Sequence, residues 1–137
     1  MNSQLPNIQK RFWLEWMLDE KRTSYNMSFE YKMSLQLDIS ILIKAFRKYV
    51  FEVNPFCVCR FYNNDIGIVY EKIEKHILNM RVEDGLLEQK KYQEIRDSFF
   101  FKPFNLETGD VYRFLLSRNR DSYSLLVSFH HIVMDTV

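Results

Sequence analysis

The sequence is poor in residues that break regular secondary structure: its 137 residues include only three glycines and three prolines. Because glycine and proline supply most tight turns, so few of them favour long helices and strands over a loop-rich scaffold. No apolar run approaches the roughly 18 residues of a membrane-spanning helix. The N-terminus lacks the basic start and apolar stretch of a signal peptide. We therefore expect a cytoplasmic protein that does not bind membranes.

A large excess of charge of one sign is also missing. The 19 Lys and Arg residues nearly balance the 18 Asp and Glu residues, and the net charge is +1. Basic residues usually neighbour acids, as in the segment from Asp19 to Arg22. Such a sequence produces no field that would attract nucleic acid or an anionic membrane, and we interpret these charges as a solvated, mixed surface.

Cysteine is scarce, with only Cys57 and Cys59 in the whole chain. Two thiols with no histidine or acidic ligand close in sequence cannot complete a four-ligand zinc site. On a strand, positions 57 and 59 would share one face. We therefore interpret the pair as small, buried, reduced residues, which fits a cytoplasmic protein.

The sequence is rich in core-forming residues: 47% are hydrophobic and 16% aromatic. That content is enough for one hydrophobic core, and the length fits one domain or part of one. Apolar spacing predicts helices from Pro6 to before Thr23, at 39–53 after an N-cap at Asp38, and at 86–101. Alternation predicts strands within 25–37 and at 56–62, 66–70, 77–82, 111–118 and 123–130. This mixture predicts the α+β class: an α/β sandwich with a mixed, mostly antiparallel sheet flanked by helices.

The candidate reactive residues lie at the end of the sequence. His130 and His131 follow a strand-like apolar run, and Asp135 comes four residues after the second histidine. Strand alternation points the two rings in opposite directions, so they are poorly placed to share a metal ion. We predict that one histidine is structural and the other faces a cleft, where an imidazole is a versatile proton carrier. Alone, this short pattern leaves a purely structural interpretation equally open.

Other segments give this pattern a context: Gln9 to Trp13, Tyr25-Asn26, Leu37-Asp38, and Pro103 to Leu106. In this order, and with two strands leading into His-His-x-x-x-Asp, they resemble the condensation domains of nonribosomal peptide synthetases, in the superfamily shared with chloramphenicol acetyltransferase. The resemblance extends from about residue 5 to 135. It implies that residues 1–137 form a single partial domain, the N-terminal lobe of a two-lobed domain.

The resemblance also implies a function, which is amide-bond formation between a carrier-bound acyl or peptidyl thioester and a carrier-bound aminoacyl thioester. His131 would be the catalytic imidazole, Asp135 the acid that braces its loop, and His130 a packing residue. It implies no metal and no soluble cofactor, because the phosphopantetheine arm belongs to the carrier. The expected partners are carrier domains, neighbouring synthetase domains and, through the exposed face of a lone lobe, a second copy of the chain.

The sequence departs from the family pattern in two motifs, and of the second motif, expected at Asn54 to Phe61, only the last aromatic clearly remains. Val58 stands where the family's second motif has a structural arginine, and Thr136 stands where its third motif has a glycine. If 56–62 is a strand, Arg60 lies on the same face as Val58 and is a candidate substitute. These departures favour one alternative, a catalytically inactive remnant that docks other domains. A second alternative stays open, an acyltransferase that uses a soluble acyl-coenzyme A, although the condensation-like opening motif speaks against it.

Overall fold

The computed structural model describes residues 2–21 and 23–134. Within them the regular elements are β1 (Asn2–Gln4), α1 (Asn7–Leu18), β2 (Asn26–Met33), α2 (Ile39–Lys48), β3 (Cys59–Asn64), β4 (Gly67–Lys72), β5 (Met80–Leu86), α3 (Gln89–Phe100), β6 (Tyr112–Arg118) and β7 (Tyr123–His130). A π-helical turn (Tyr49–Val53) and two 3-10 turns (Pro55–Val58 and Leu106–Thr108) complete the set of regular elements in the described residues.

The strands form two sheets. The larger has the order β2-β7-β6-β5, and the smaller has the order β1-β4-β3. Every pairing is antiparallel except that of β5 with β6, which is parallel because the chain crosses over through α3 between these two strands. This mixed, mostly antiparallel arrangement with flanking helices confirms the predicted α+β class.

The main core lies on one face of β6 and β7. Strand alternation places their large apolar side chains on that face: Tyr112, Phe114, Leu116, Leu125, Val127 and Phe129, all of them buried. Helix α2 covers the face, and the ring of its Phe46 stacks on Phe114 with 4.0 Å between ring centroids. Burying each such side chain contributes about 1.5–3 kcal/mol, so this layer fixes the position of β7 and of the residues that follow it.

Helix α1 contributes a pair of tryptophans to the core. Trp13 and Trp16 are each only 2% exposed, as the helical spacing predicts. The indole N–H of Trp16 donates to the backbone oxygen of Phe104 at 3.0 Å, so the helix is tied to the segment before β6. The helix begins at Asn7 after Pro6, and it ends at Leu18, several residues before the predicted end.

Helix α2 begins at the predicted cap. The Asp38 carboxylate accepts hydrogen bonds from the backbone N–H groups of Ser40 and Ile41 and from the Ser40 hydroxyl. These bonds, the one from the Ser40 hydroxyl above all, lower the pKa of Asp38. The helix then widens into the π-helical turn, which adds one residue per turn and rotates later side chains off the apolar face. Val50 stays fully buried, but Val53 is 61% exposed, so its predicted place on that face is wrong.

The strand predicted at 56–62 begins late. Its first three residues lie in the 3-10 turn after Asn54, and β3 begins at Cys59. Both cysteines are buried free thiols, as expected, although only Cys59 is on a strand. Burial raises the pKa of Cys57 to about 12 and that of Cys59 to about 11, which keeps both protonated at neutral pH.

Two features of the sheets were missed from sequence. Strand β1 is too short and too polar to show an apolar alternation, yet it pairs with β4. Strand β5 continues past the predicted strand end at Val82 to Leu86, and an irregularity in its pairing between Glu83 and Leu86 accommodates Gly85. The strands predicted at 56–62 and 66–70 form an antiparallel hairpin of β3 and β4, with its turn at Asp65 and Ile66.

The turn before β6 depends on a glycine. The Asn105 side chain caps the 3-10 turn by accepting from the N–H groups of Glu107 and Thr108. Gly109 then has a φ of 82°, and a Cβ atom at that position would lie 2.2 Å from Cδ1 of Ile73. Only glycine fits this conformation and this space. The turn therefore directs the chain into β6 at the end of the sheet where β7 finishes.

Candidate functional site

The candidate site lies where β7 ends. His130 is the last residue of the strand, and its N–H donates to the oxygen of Val111 at 2.9 Å. The N–H of His131 donates to the oxygen of Tyr25 at 2.8 Å, and the chain then turns. Neighbouring segments on both sides of β7 therefore fix the backbone that carries the two histidines.

His130 is sealed into the core and is only 2% exposed. Its Nδ1 accepts the N–H of Ile132 at 3.0 Å, so the neutral ring carries its proton on Nε2. The ring of Phe104 packs edge-on against it at 6.2 Å between centroids. Burial, assisted by the nearby His131, lowers the pKa of His130 to about 4. At neutral pH this histidine is an uncharged structural residue.

The segment beside His130 is held by a buried arginine. The Arg113 guanidinium donates to the backbone oxygens of Lys102, at 2.7 Å, and Pro103, at 3.2 Å. It also lies 3.8 Å from the centroid of the Phe104 ring, where a cation–π interaction adds to the packing. This role was not predicted from sequence, because an arginine on a predicted strand gives no sign that it faces backbone oxygens.

His131 has a different environment. It is partly exposed, and its ring stacks on Phe12 with 4.5 Å between centroids and 20° between planes. The edge of Tyr25 packs against Phe12 in turn, at 5.3 Å. Helix α1 thus supplies a flat apolar support for the imidazole. Phe12 lies within the predicted first helix, but its contact with His131 was not predicted from sequence.

The remaining predicted site residue, Asp135, lies outside the described residues. Arg60, the candidate substitute for the family's arginine, is engaged on the small sheet. Arg60 pairs with Glu71 at 3.7 Å and covers the ring of Tyr62. Val58 is buried in the 3-10 turn and is not on β3 at all. The proposed substitution of Arg60 for the missing arginine is therefore wrong, since the two positions do not share a strand face.

Three further features concern possible ligands and membranes: metal-binding groups, a groove, and the length of the helices. Between residues 2 and 134, apart from the undescribed position 22, no group of three or more His, Cys, Asp or Glu side chains is arranged to hold a metal ion. A groove of about 400 Å³ lies between α3 and the large sheet, lined among others by Ile95, Phe99 and Arg113. Its lining includes neither His130 nor His131. Among the helices described, none is long and apolar enough to cross a membrane.

Comparison with known sequences finds one family across the chain. A family model of the condensation domain matches residues 2–137. Bacitracin synthase 3 of Bacillus licheniformis is 31% identical over 134 residues, covering 97% of this chain and 2% of that protein. Bacitracin synthase 2 of the same organism is also 31% identical over 134 residues, covering 97% of this chain and 5% of that protein. The chain therefore spans a small fraction of the curated relatives it matches.

Solved structures share the fold. The starter condensation domain of rhizomide synthetase RzmA, in a mutant form, superposes with a TM-score of 0.84 at 21% identity, covering 99% of this chain and 34% of that one. A four-domain nonribosomal peptide synthetase bound to AMP and glycine gives a TM-score of 0.80 at 18% identity, covering 98% of this chain and 10% of that one. At these identities the likeness extends to the fold alone.

Proposed function

The chain belongs to the condensation domain family of nonribosomal peptide synthetases, and on that premise we propose that it is the N-terminal lobe of an amide-bond-forming domain. In the proposed reaction, the amine of a carrier-bound aminoacyl thioester attacks the carbonyl of a carrier-bound acyl or peptidyl thioester. The new C–N bond forms as the C–S bond breaks. The amine loses a proton, and the pantetheine thiol of the donor carrier leaves.

His131 carries the proposed chemistry. It either takes the proton of the attacking amine or holds that amine and stabilises the charge that develops on it. The observation that supports this role is its position at the end of β7, partly exposed and stacked on Phe12, while its neighbour His130 is sealed in the core. A base at a strand end beside a gap is a suitable arrangement for acyl transfer.

The other proposed roles follow from the family. Asp135 would brace the loop through an ion pair and would not move protons. No metal or soluble cofactor is part of the proposed reaction, because the phosphopantetheine arm arrives on the carrier domains. Those carriers and the neighbouring synthetase domains are the proposed partners, and the reduced thiols of Cys57 and Cys59 agree with a reaction in the cytoplasm.

The proposed reaction needs a second wall opposite His131. Acyl transfer depends on holding both reactants in place with water excluded. We therefore expect residues 1–137 alone to have negligible condensation activity, and the same residues joined to the C-terminal lobe of a related condensation domain to be active. Mass spectrometry of the product formed from a donor acyl-carrier and an acceptor aminoacyl-carrier tests both. Product from the lone lobe, or none from any folded two-lobed protein, would contradict the proposal.

The lone lobe is also proposed to self-associate. Strand β2 is an edge of the large sheet, and its Phe29 and Tyr31 are 40% and 50% exposed, with their rings stacked on one another. A long edge strand with exposed aromatic side chains is a surface on which a second copy can pair. Light scattering at high concentration tests this, and a clean monomer would contradict it.

A second candidate function is docking without catalysis. The observation that favours it is the buried Val58 in place of the family's arginine, with Arg60 engaged by Glu71 elsewhere. A catalytically inactive lobe would still bind carrier domains. Cross-linking through a reactive pantetheine arm would then succeed with a folded two-lobed protein that forms no product.

A further inference from the structure

The turn that carries His131 is held at its far end by a residue from a distant segment. The side-chain amide of Asn54 donates to the oxygen of Val133 at 2.7 Å and to the hydroxyl of Tyr49 at 3.2 Å. The Tyr49 hydroxyl in turn donates to the sulfur of Met134 at 3.2 Å. Both N–H groups of the Asn54 amide and the O–H group of Tyr49 therefore donate a hydrogen bond in this small network.

The backbone of Asn54 is itself fixed. Its N–H donates to the oxygen of Tyr49 at 2.7 Å and closes the π-helical turn, while its oxygen accepts the N–H of Cys57 at 3.1 Å and opens the 3-10 turn. Because the π-helical turn adds a residue, it determines which side of the helix end Asn54 faces. Such turns often occur at functional sites, where they redirect one side chain.

The hydrogen bond between Asn54 and Val133 is connected to His131 through the backbone of the turn. The N–H of Met134 donates to the oxygen of His131 at 3.2 Å, and the N–H of His131 donates to Tyr25. The turn is thus held at its start by Tyr25, the residue before β2. Asn54 and Tyr49 hold the two residues that end it. The buried side chains of Ile132 and Val133 anchor the middle of the turn, and the Asn54 amide adds the side-chain hydrogen bond that holds its far end.

We propose that Asn54 is a positioning residue for His131, with the Tyr49 hydroxyl as its partner, and that this pair braces the turn in a chain where Val58 replaces the family's arginine. This inference rests on the proposed function of His131. Its structural content, that the amide of Asn54 fixes the turn, is tested without carriers, substrates or a second lobe.

The test compares four variants of residues 1–137 with the unaltered chain. Asn54→Ala removes the amide, Asn54→Asp keeps its shape but presents an acceptor to the Val133 oxygen, and Tyr49→Phe removes only the hydroxyl. Asn119→Ala is the matched control, since its amide donates to Ser124 at 2.6 Å at the opposite end of β7. Two readouts are followed by NMR: hydrogen exchange of the Val133 and Met134 amides, and the ring-proton shifts of His131 caused by its stacking on Phe12.

We expect both Asn54 variants to exchange these amides about fivefold faster, the factor that corresponds to a hydrogen bond of about 1 kcal/mol. They should also move the His131 ring protons toward unstacked values. Tyr49→Phe should do the same more weakly, and Asn119→Ala should leave both readouts unchanged. Unchanged exchange and shifts in a folded Asn54 variant, or equal changes in the control, would overturn the proposal. If both Asn54 variants fail to fold, Tyr49→Phe decides, and wild-type values in it would also overturn the proposal.

Discussion

His130 and His131 are neighbours in the chain, yet they lie in two different environments. His130 closes β7 inside the core, with its Nδ1 bonded to the turn and its pKa lowered to about 4. His131 opens the turn, is partly exposed, and rests its ring on Phe12 of helix α1. The first position keeps an imidazole neutral and enclosed, and the second presents one partly at the surface.

The difference shows how one strand end can carry a buried structural histidine and, next to it, a partly exposed one. Strand alternation points successive side chains to opposite sides, so burying the first histidine leaves the second one outside the core. A variant at each position should then affect a different property. Changes at His131 should alter chemistry, and changes at His130 should alter stability.

The largest expected effect is on activity. In a two-lobed protein built on this chain, His131→Ala should lower the rate of product formation about 10²–10⁴-fold, the usual contribution of a positioned proton carrier. The matched control is His76→Ala, which removes a histidine bound to the Tyr112 hydroxyl at 2.7 Å. We expect the control to keep its rate. Mass spectrometry of product over time decides, and an active His131→Ala variant would contradict the catalytic assignment.

The next effect is on stability. His130→Ala should lower the free energy of unfolding by about 2–4 kcal/mol, because it leaves a cavity and an unpaired Ile132 N–H in the core. His131→Ala should cost less than about 1 kcal/mol, since that ring is already partly solvated. Urea unfolding followed by circular dichroism measures both. Equal losses in the two variants would mean that the two environments do not differ.

A third prediction concerns pH. The pKa of His130 is lowered from 6.5 to about 4 in the folded protein, so between these values the unfolded chain binds the extra proton. His130 thus contributes stability that is complete above about pH 6.5 and is lost as pH falls toward 4, on the order of 3 kcal/mol. His130→Asn, which retains an acceptor for the Ile132 N–H, should flatten this part of the pH profile. An unchanged slope would contradict the burial of a neutral His130.

The smallest effect is on the stacking at His131. Phe12→Leu keeps an apolar side chain but removes the ring, and it should destabilise the fold by about 1 kcal/mol. It should also shift the His131 ring protons in NMR spectra. Phe29→Leu is the control, because Phe29 stacks on Tyr31 at the sheet edge. Histidine shifts that respond equally to both changes would exclude a specific contact with Phe12.

Elements with strict periodicity were predicted well from sequence. The strands predicted at 111–118 and 123–130 appear as Tyr112–Arg118 and Tyr123–His130, because alternation and a polar turn fix them locally. Asp38 caps α2 as predicted. The family resemblance drawn from a few ordered segments is confirmed by the family match over residues 2–137.

Features that depend on tertiary packing were not predicted. The π-helical turn after α2 leaves no periodic signal, so Val53 was placed on the wrong face. The contact of Phe12 with His131 joins the two ends of the chain and requires the whole fold. Arg60 was assigned to the site from an assumed strand register that β3 does not adopt. The catalytic role of His131 and the bracing role of Asp135 stay predictions.

The central claim is that His131 is open to reagents while His130 is closed to them. Diethyl pyrocarbonate, which acylates accessible neutral imidazoles, tests it directly on residues 1–137 at neutral pH, with fragment mass spectrometry to separate the two adjacent sites. We predict that His131 reacts at least about tenfold faster than His130, in proportion to the opening needed to expose a buried ring. Equal rates, or faster reaction at His130, would contradict the account.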